Sequence, residues 1–318
     1  MGNYILKRLF QLIIVLIGVS IITFVILFVV PGDAVSAHAP KGATPQVLAM
    51  IRHNLGLDRP IYVQYGKFVW SLLHGNLGNS FQFNRPVTDM IREALPNTMQ
   101  LAIAAVLIEL LGIPLGVYSA LRQFTFRDAA MTTTALVIWG VPVFVMGLFL
   151  QEVFGLWLNV LPITGAGGTT ILGIIPGDLQ NLEALVLPAF ALGILEVAYI
   201  SYMQRAAMLE VIRSDYVRTA RAKGLSERKV VLKHGLKNAM IPVVTVAGLD
   251  LGALMGGAIL TETVFSRPGL GLMIYTAIGS RDLPVVVGGV LFATVVFVVA
   301  NLIVDIGYAL LDPRIRYE

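Results

Sequence analysis

The sequence predicts an all-α integral membrane protein with six transmembrane helices and a long extracytoplasmic insert after the first. Three observations carry this reading. Of the 318 residues, 57% are hydrophobic and mean hydropathy is +0.81. Only 13% are charged, against about 25% in soluble domains, as expected where lipid replaces water over much of the surface. Apolar runs also recur at the length of about 20 residues needed to cross a bilayer.

The first run, 9–30, has 22 residues without a charge. A signal peptide is its rival reading, because Lys7 and Arg8 precede it and Ala37-His38-Ala39 follows. The run exceeds the usual signal core of about 7–15 residues, so an uncleaved first span is preferred. Five further spans are expected at 98–121, 131–154, 182–203, 240–264 and 284–311. The apolar stretch 156–175 is interrupted by Pro162, Gly165, Gly167 and Gly168 and reads as a loop or interfacial element.

Residues 31–96 form the insert. Thr44-Pro45 is a helix start and Gly56 a stop. Pro60 opens a second helix, with Ile61, Tyr65, Phe68, Val69 and Leu72 at helical spacing, ending at His74-Gly75. Pro86 opens a short third helix with Val87, Met90, Ile91 and Leu95 on one side. The insert reads either as a cap on the bilayer or as a receiving surface for a partner or substrate.

Positive residues mark cytoplasmic loops. With the N-terminus inside, 15 Lys/Arg fall inside and 8 outside, five of the latter within the long loop 41–85 where the rule is weak. Both termini are therefore predicted cytoplasmic. The domain organisation is a cytoplasmic N-terminus and first span (1–30), the insert (31–96), a five-helix transmembrane core (97–311) that includes a cytoplasmic segment at 205–238, and a cytoplasmic tail (312–318).

Gly248, Gly252 and Gly256 recur every four residues and form a ridge for close helix packing, as do Gly112 and Gly116 around Pro114. Glu109, Glu196, Asp250 and Asp305 fall inside predicted spans, with Asn301 four residues from Asp305. A charge at mid-bilayer costs about 2.5–3.5 kcal/mol on insertion scales, so each is expected to face the bundle interior. They are candidates for a translocation path, against the plainer reading of interhelical hydrogen bonding.

Several chemistries are excluded. With no cysteine there is no disulfide, thiolate metal site or cysteine nucleophile. The four histidines lack ligand spacing, so no metal site is expected. No G-x-x-x-x-G-K-[ST] loop or G-x-S-x-G elbow occurs. A net charge of +4 is too small to argue for nucleic acid. The chain reads as a conduit and not as an enzyme.

One segment is charged. Between Arg205 and Lys237 stand nine Lys/Arg against Glu210, Asp215 and Glu227. A helix is expected over 210–223, with Val211, Ile212, Tyr216 and Ala220 as an apolar strip and Arg213, Arg218 and Arg221 around it. Gly224 breaks it and Ser226 can cap a second helix from Glu227. So short a helix is marginal alone, which suggests a partner.

Residues 216–225, YVRTARAKGL, followed by 234–242, HGLKNAMIP, resemble the cytoplasmic loop of ABC importer permeases, closest to the dipeptide/oligopeptide/nickel branch. Arg218-Thr219-Ala220 stands where the general importer pattern has E-A-A, a departure typical of that branch. Further strings resemble the same family: LGNS at 77–80, RPV at 85–87, LPNT at 95–98, TETVFSRPGLG at 261–271 and DPR at 312–314. The long insert resembles the B-type subunit of the permease pair.

The resemblance implies the type I permease fold in a bacterial inner membrane. It implies a heterodimer with a C-type permease, two ABC ATPase subunits that bind ATP and Mg, and an extracytoplasmic substrate-binding protein. No cofactor is expected in this chain. Tyr216, Arg218, Thr219, Ala220, Arg221, Lys223, Gly224 and Leu225 would form the coupling helix, with Arg218 and Arg221 pairing to ATPase acids. Peptides are the expected cargo; nickel chelates, glutathione and oligosaccharides are alternatives. A proton-driven secondary transporter using the buried acids, and an assembly or receptor subunit without a pathway, are rivals of other classes. The first rival predicts uptake by de-energised vesicles given only a pH gradient.

Overall fold

The computed structural model describes residues 2–28, 44–46, 49, 53, 58–165, 170–171 and 175–311. Gly56, the Ala37-His38-Ala39 site, Gly167, Gly168 and the tail 312–318 lie outside the described residues. Among the described residues the chain is almost wholly helical. Four helices are long and apolar enough to cross a membrane, and two bent pairs bring the spans to six.

The first span is α1 (Gly2–Phe28). In the insert, α2 (Ile61–Leu73) forms where Pro60 predicts it, and Tyr65 bonds back to Ser20 of α1 at 2.9 Å. The second span differs from expectation at its start. The short helix after Pro86 and the span at 98–121 are one helix, α3 (Val87–Glu109), with Pro96 inside it. After a break at Leu110 and Leu111 the span continues as α4 (Gly112–Leu121).

The third span is broken and not straight. Helix α5 (Phe126–Trp139) and helix α6 (Val143–Leu150), which runs into a π-helical stretch Gln151–Trp157, meet at 99°. Pro142 has no N–H to continue α5 and disfavours helical angles at Val141. A connecting loop follows, with a two-residue hairpin of β1 (Thr170–Ile171) and β2 (Ile175–Pro176), antiparallel with Ile171 opposite Ile175.

The fourth span is α7 (Leu179–Ile212), 34 residues capped by the Asp178 carboxylate, which accepts from the Asn181 N–H at 2.8 Å. The basic segment then folds as α8 (Asp215–Ala222), α9 (Glu227–Lys229), a π-helical stretch Val230–Gly235 and α10 (Leu236–Ala239). The fifth span, α11 (Ile241–Met255), stops short of the expected 264. At Gly257 φ is +113° and a Cβ would lie 2.9 Å from the Gly271 nitrogen, so only glycine fits there. The chain resumes as α12 (Ile259–Val264) and α13 (Leu270–Gly279), and α14 (Leu283–Leu311) is the sixth span.

Helix α7 is the central element, and glycine lets its neighbours reach it. A Cβ on Gly112 would lie 2.7 Å from the Val197 carbonyl oxygen, and one on Gly116 would lie 2.5 Å from that of Ser201. In return, a Cβ on Gly193 of α7 would lie 2.7 Å from Ile108 Cβ on α3. The ridge on α11 faces α14: Gly248 meets Val304, Gly252 meets Ala300 and Gly256 meets Ala293. Within a bilayer, association rests on such packing because lipid is as apolar as the side chains.

Replacing Gly116 with alanine is expected to cost about 1–3 kcal/mol, as overpacking does. Gly18→Ala, where nothing lies within 4 Å of the added carbon, is the neutral control. Thermal unfolding of the two detergent-solubilised variants checks the contrast.

Candidate functional site

The basic end of the bundle presents α8 as a rigid unit. Its C-terminus closes as a Schellman motif: Gly224 N–H bonds to the Arg221 carbonyl at 2.9 Å and Leu225 N–H to that of Ala220 at 3.4 Å. Gly224 has φ +73°, the left-handed angle that this cap requires. Across the break, the Arg221 guanidinium grips the Glu227 carboxylate with two bonds of 3.1 and 2.7 Å. The Arg221 pair holds Glu227 below the usual carboxylate range.

The buried face of α8 is Val217 and Ala220, packed with Val230 and Val211. The expected strip placed Tyr216 there, but Tyr216 is exposed and its hydroxyl accepts from the Asn238 amide at 2.7 Å. The expectation assumed one helix over 210–223. The chain instead turns at Arg213 and Ser214, which shifts the helical register by one position. Ser226 stands at the start of α9 without a side-chain capping bond. Residues 221–229 are all exposed, as are Arg218 and Thr219. Arg218 makes only a 3.4 Å surface contact with Asp215, whereas Arg221 is committed to Glu227.

Within the spans, Glu109 on α3, Glu196 on α7 and Asp250 on α11 come together as electrostatic neighbours. Glu109 is 1% exposed, and neither carboxylate oxygen has a hydrogen-bond partner among the described residues. One oxygen each of Asp250 and Asn301 is also buried without a partner. Asp305 lies on α14, and its side chain is outside the described residues. Tyr199, one turn from Glu196, stacks on Trp139 of α5 with ring centroids 5.3 Å apart.

The opposite, insert end is closed by polar knots that the sequence reading did not assign. Arg267 is 1% exposed and donates to the Gly165 carbonyl at 2.7 Å, the Gln100 side chain at 2.5 Å and the Asn97 carbonyl at 3.2 Å. Burial pushes its guanidinium down to about 10, partly opposed by Glu262, so it remains charged at neutral pH. Glu262 is fully buried and accepts from the Thr98 hydroxyl at 2.7 Å and the Leu272 N–H at 3.0 Å. Gly269 and Gly271 lie against its carboxylate with no room for a side chain. A second knot centres on Asp282, which accepts from Ser80 Oγ at 2.5 Å, Phe81 N–H at 3.0 Å and Gln82 N–H at 3.3 Å. Thr98, Glu262, Arg267 and Ser80 all fall within the strings that carried the family resemblance. Their signal was a charge or hydroxyl inside an otherwise apolar context, and only the fold shows which groups meet.

Six spans packed about α7, an exposed basic helix at one end and, among the described residues, a buried carboxylate at Glu109 without a partner fit a membrane transport subunit. Residues 112–317 match the family described as the binding-protein-dependent transport system inner membrane component, and residues 1–102 match its N-terminal companion. The chain belongs to this family. It is 41% identical to the dipeptide transport system permease protein DppB of Alkalihalophilus pseudofirmus over 99% of each chain. It is 40% identical to the di/tripeptide transport system permease protein DppB of Pseudomonas aeruginosa and 37% identical to the dipeptide permease DppB of Escherichia coli, each over the full length of both chains.

Arg267→Met is expected to leave the Gly165 carbonyl and the Gln100 side-chain oxygen without this donor, at about 1–3 kcal/mol for each buried group. The variant should accumulate poorly in membranes, while exposed Arg218→Met should accumulate normally. Quantitative immunoblotting of membrane fractions reads the difference.

Proposed function

We propose that this chain is a permease subunit of an ATP-driven ABC importer that moves short peptides, the class named for its full-length relatives. It would pair with a C-type permease, dock two ATPase subunits and receive cargo from a substrate-binding protein at the insert end. The excess of positive residues at the basic end supports an orientation with both termini in the cytoplasm. Membership of a binding-protein-dependent family weighs against the proton-driven and pathway-free readings.

The observation that carries the coupling role is α8 itself. A helix of eight residues does not hold its shape alone, yet this one is fixed by a Schellman cap, a two-bond ion pair and an apolar underside. Its outward face, with Arg218, Thr219, Lys223 and Leu225, is left free to seat in a groove. Arg221 serves the site by fixing Glu227, so Arg218 and Lys223 are the cations offered to ATPase acids. ATP-dependent closure of the ATPases would bias the permease between two states, and a nearly complete switch needs about 5.5 kcal/mol of differential binding. Glu109, Glu196, Asp250, Asn301 and Asp305 are assigned to the path between the spans. Among the described residues both Glu109 oxygens and one Asp250 oxygen lack partners, which supports a path that a second permease completes.

Gly224→Asp tests the coupling role. A side chain there must adopt φ +73°, at about 1–2 kcal/mol for a non-glycine residue, and adds a negative charge to the docking face. Normal membrane levels with peptide uptake reduced at least about tenfold are expected; this loss corresponds to about 1.4 kcal/mol. Wild-type uptake at normal levels would refute the role.

A further inference from the structure

We propose that Asp128 is a positioning residue for coupling: with Arg205 it locks the α4–α5 turn to the end of α7 that carries the docking segment, so that movement of α8 reaches the broken third span. This rests on the coupling role proposed for α8.

The carboxylate of Asp128 is saturated. Oδ1 accepts from Arg205 Nε and from Ser119 Oγ, each at 2.6 Å. Oδ2 accepts from Arg205 Nη2 at 2.8 Å and from the Phe124 N–H at 3.1 Å. Four bonds from α4, the turn and α7 therefore converge on one group at the start of α5. The side chains of Arg205 and Asp128 are 22% and 6% exposed, so the pair is shielded from the solvent that makes surface ion pairs nearly worthless. Arg205, counted from sequence among the nine Lys/Arg of the basic segment, is the fork of this clamp.

The turn it holds is strained. Phe124 has φ +64°, a left-handed angle unusual for a bulky residue, and its ring is 89% exposed. Such conformations persist where surrounding contacts over-determine them. Here those contacts include the Phe124 N–H bond to Asp128 and the reciprocal cap in which the Thr125 hydroxyl accepts from the Asp128 N–H at 3.3 Å. The Thr125 N–H and hydroxyl also bond to the Arg122 carbonyl, at 3.1 and 2.7 Å, and Asp128 ties the turn so formed to α4 and α7.

A continuous set of contacts joins this turn to α8. Val217 and Ala220 of α8 pack on Val230. The next residue, Val231, lies in a cluster with Met208 of α7, Ala120 of α4 and Ala239. Gly235 lies so close to Met208 that a Cβ would be 2.8 Å from the Met208 methyl. Arg205 lies one turn from Met208 on α7, and from Asp128 helix α5 runs to the 99° bend at Pro142. Packing alone makes a route associational. Two arrangements are assigned to the bend, and the clamp fixes α5, the helix that leads to it.

The test uses the complete transporter in proteoliposomes, with both permeases, the ATPases and the peptide-loaded binding protein. Asp128→Asn keeps the size of the side chain and removes the charge. The expected result is assembly with both ATPases and continued ATP hydrolysis, with peptide imported per ATP hydrolysed reduced about tenfold. Because the natural chain has no cysteine, spin labels can be placed at Phe126→Cys and Lys223→Cys. Their distance should be narrow and alike with and without ATP in the wild-type background, and broadened by Asp128→Asn. An unchanged import ratio and label distance in an assembled Asp128→Asn complex overturns the proposal. If Asp128→Asn does not accumulate, Ser119→Ala removes one of the four donors and leaves the ion pair. A two- to threefold fall in import per ATP is then expected, and an unchanged ratio overturns the proposal. Import by the wild-type complex that is independent of ATP would instead refute the underlying coupling role, which separates the two failures.

Discussion

The constraint on which the rest of the structure depends is the close approach of α3 and α4 to α7. Lipid offers apolar side chains no less than a neighbouring helix does, so helices hold together by contact area and by the polar groups they satisfy. Gly112, Gly116 and Gly193 bring backbone to backbone along this seam. Once α7 is held there, its two ends take up different work. Near its start it packs below the Arg267 knot, with Pro188 and Arg267 both against Gly165. Toward its far end it carries Arg205, Met208 and the turn into α8.

The two ends are stabilised by different means. At the insert end, buried charges are met one by one: Arg267 by three acceptors, Glu262 by Thr98 and Leu272, Asp282 by Ser80 and two backbone N–H groups. Leaving any of these unmet costs more than making it gains, so the loops there behave as one piece. At the basic end, shape is set inside and charge is shown outside. Val217, Ala220 and Val230 fix α8 from below while Arg218 and Lys223 stay in solvent. In the middle, by contrast, the Glu109 carboxylate is buried without a hydrogen-bond partner among the described residues.

Much of this was legible in the sequence for physical reasons. Hydrocarbon thickness sets a length, so the first and last spans appear directly as apolar runs. Glycine punctuation placed the end of α8, because the left-handed angle at Gly224 has few other occupants. The glycine spacing on α11 was legible as a ridge, though not the α14 residues that fill it. What composition could not show was where an apolar run bends. The third span has the hydropathy of a straight helix, and its 99° break depends on the one missing N–H of Pro142. Tyr216 was misplaced because a two-residue turn at Arg213 and Ser214 resets helical phase. The knots were hidden for a different reason: Thr98 meets Glu262 across 164 positions and Arg205 meets Asp128 across 77, and no local pattern encodes such pairs. Arg205 shows the cost, since a count of basic residues treats a partly buried fork and a solvated cation alike.

Coupling through α8, as proposed, requires its free face to seat in an ATPase on the cytoplasmic side. Site-directed crosslinking in native membranes tests it most directly, with a photoreactive probe on a single cysteine at Arg218. Docking of α8 gives an adduct with the ATPase subunit that disappears when a probe of the same kind is moved to Phe83 at the insert end, and no labelling of position 218 by a membrane-impermeant thiol reagent in intact cells. Labelling of position 218 from outside, or an adduct with the ATPase formed equally from Phe83, would contradict it.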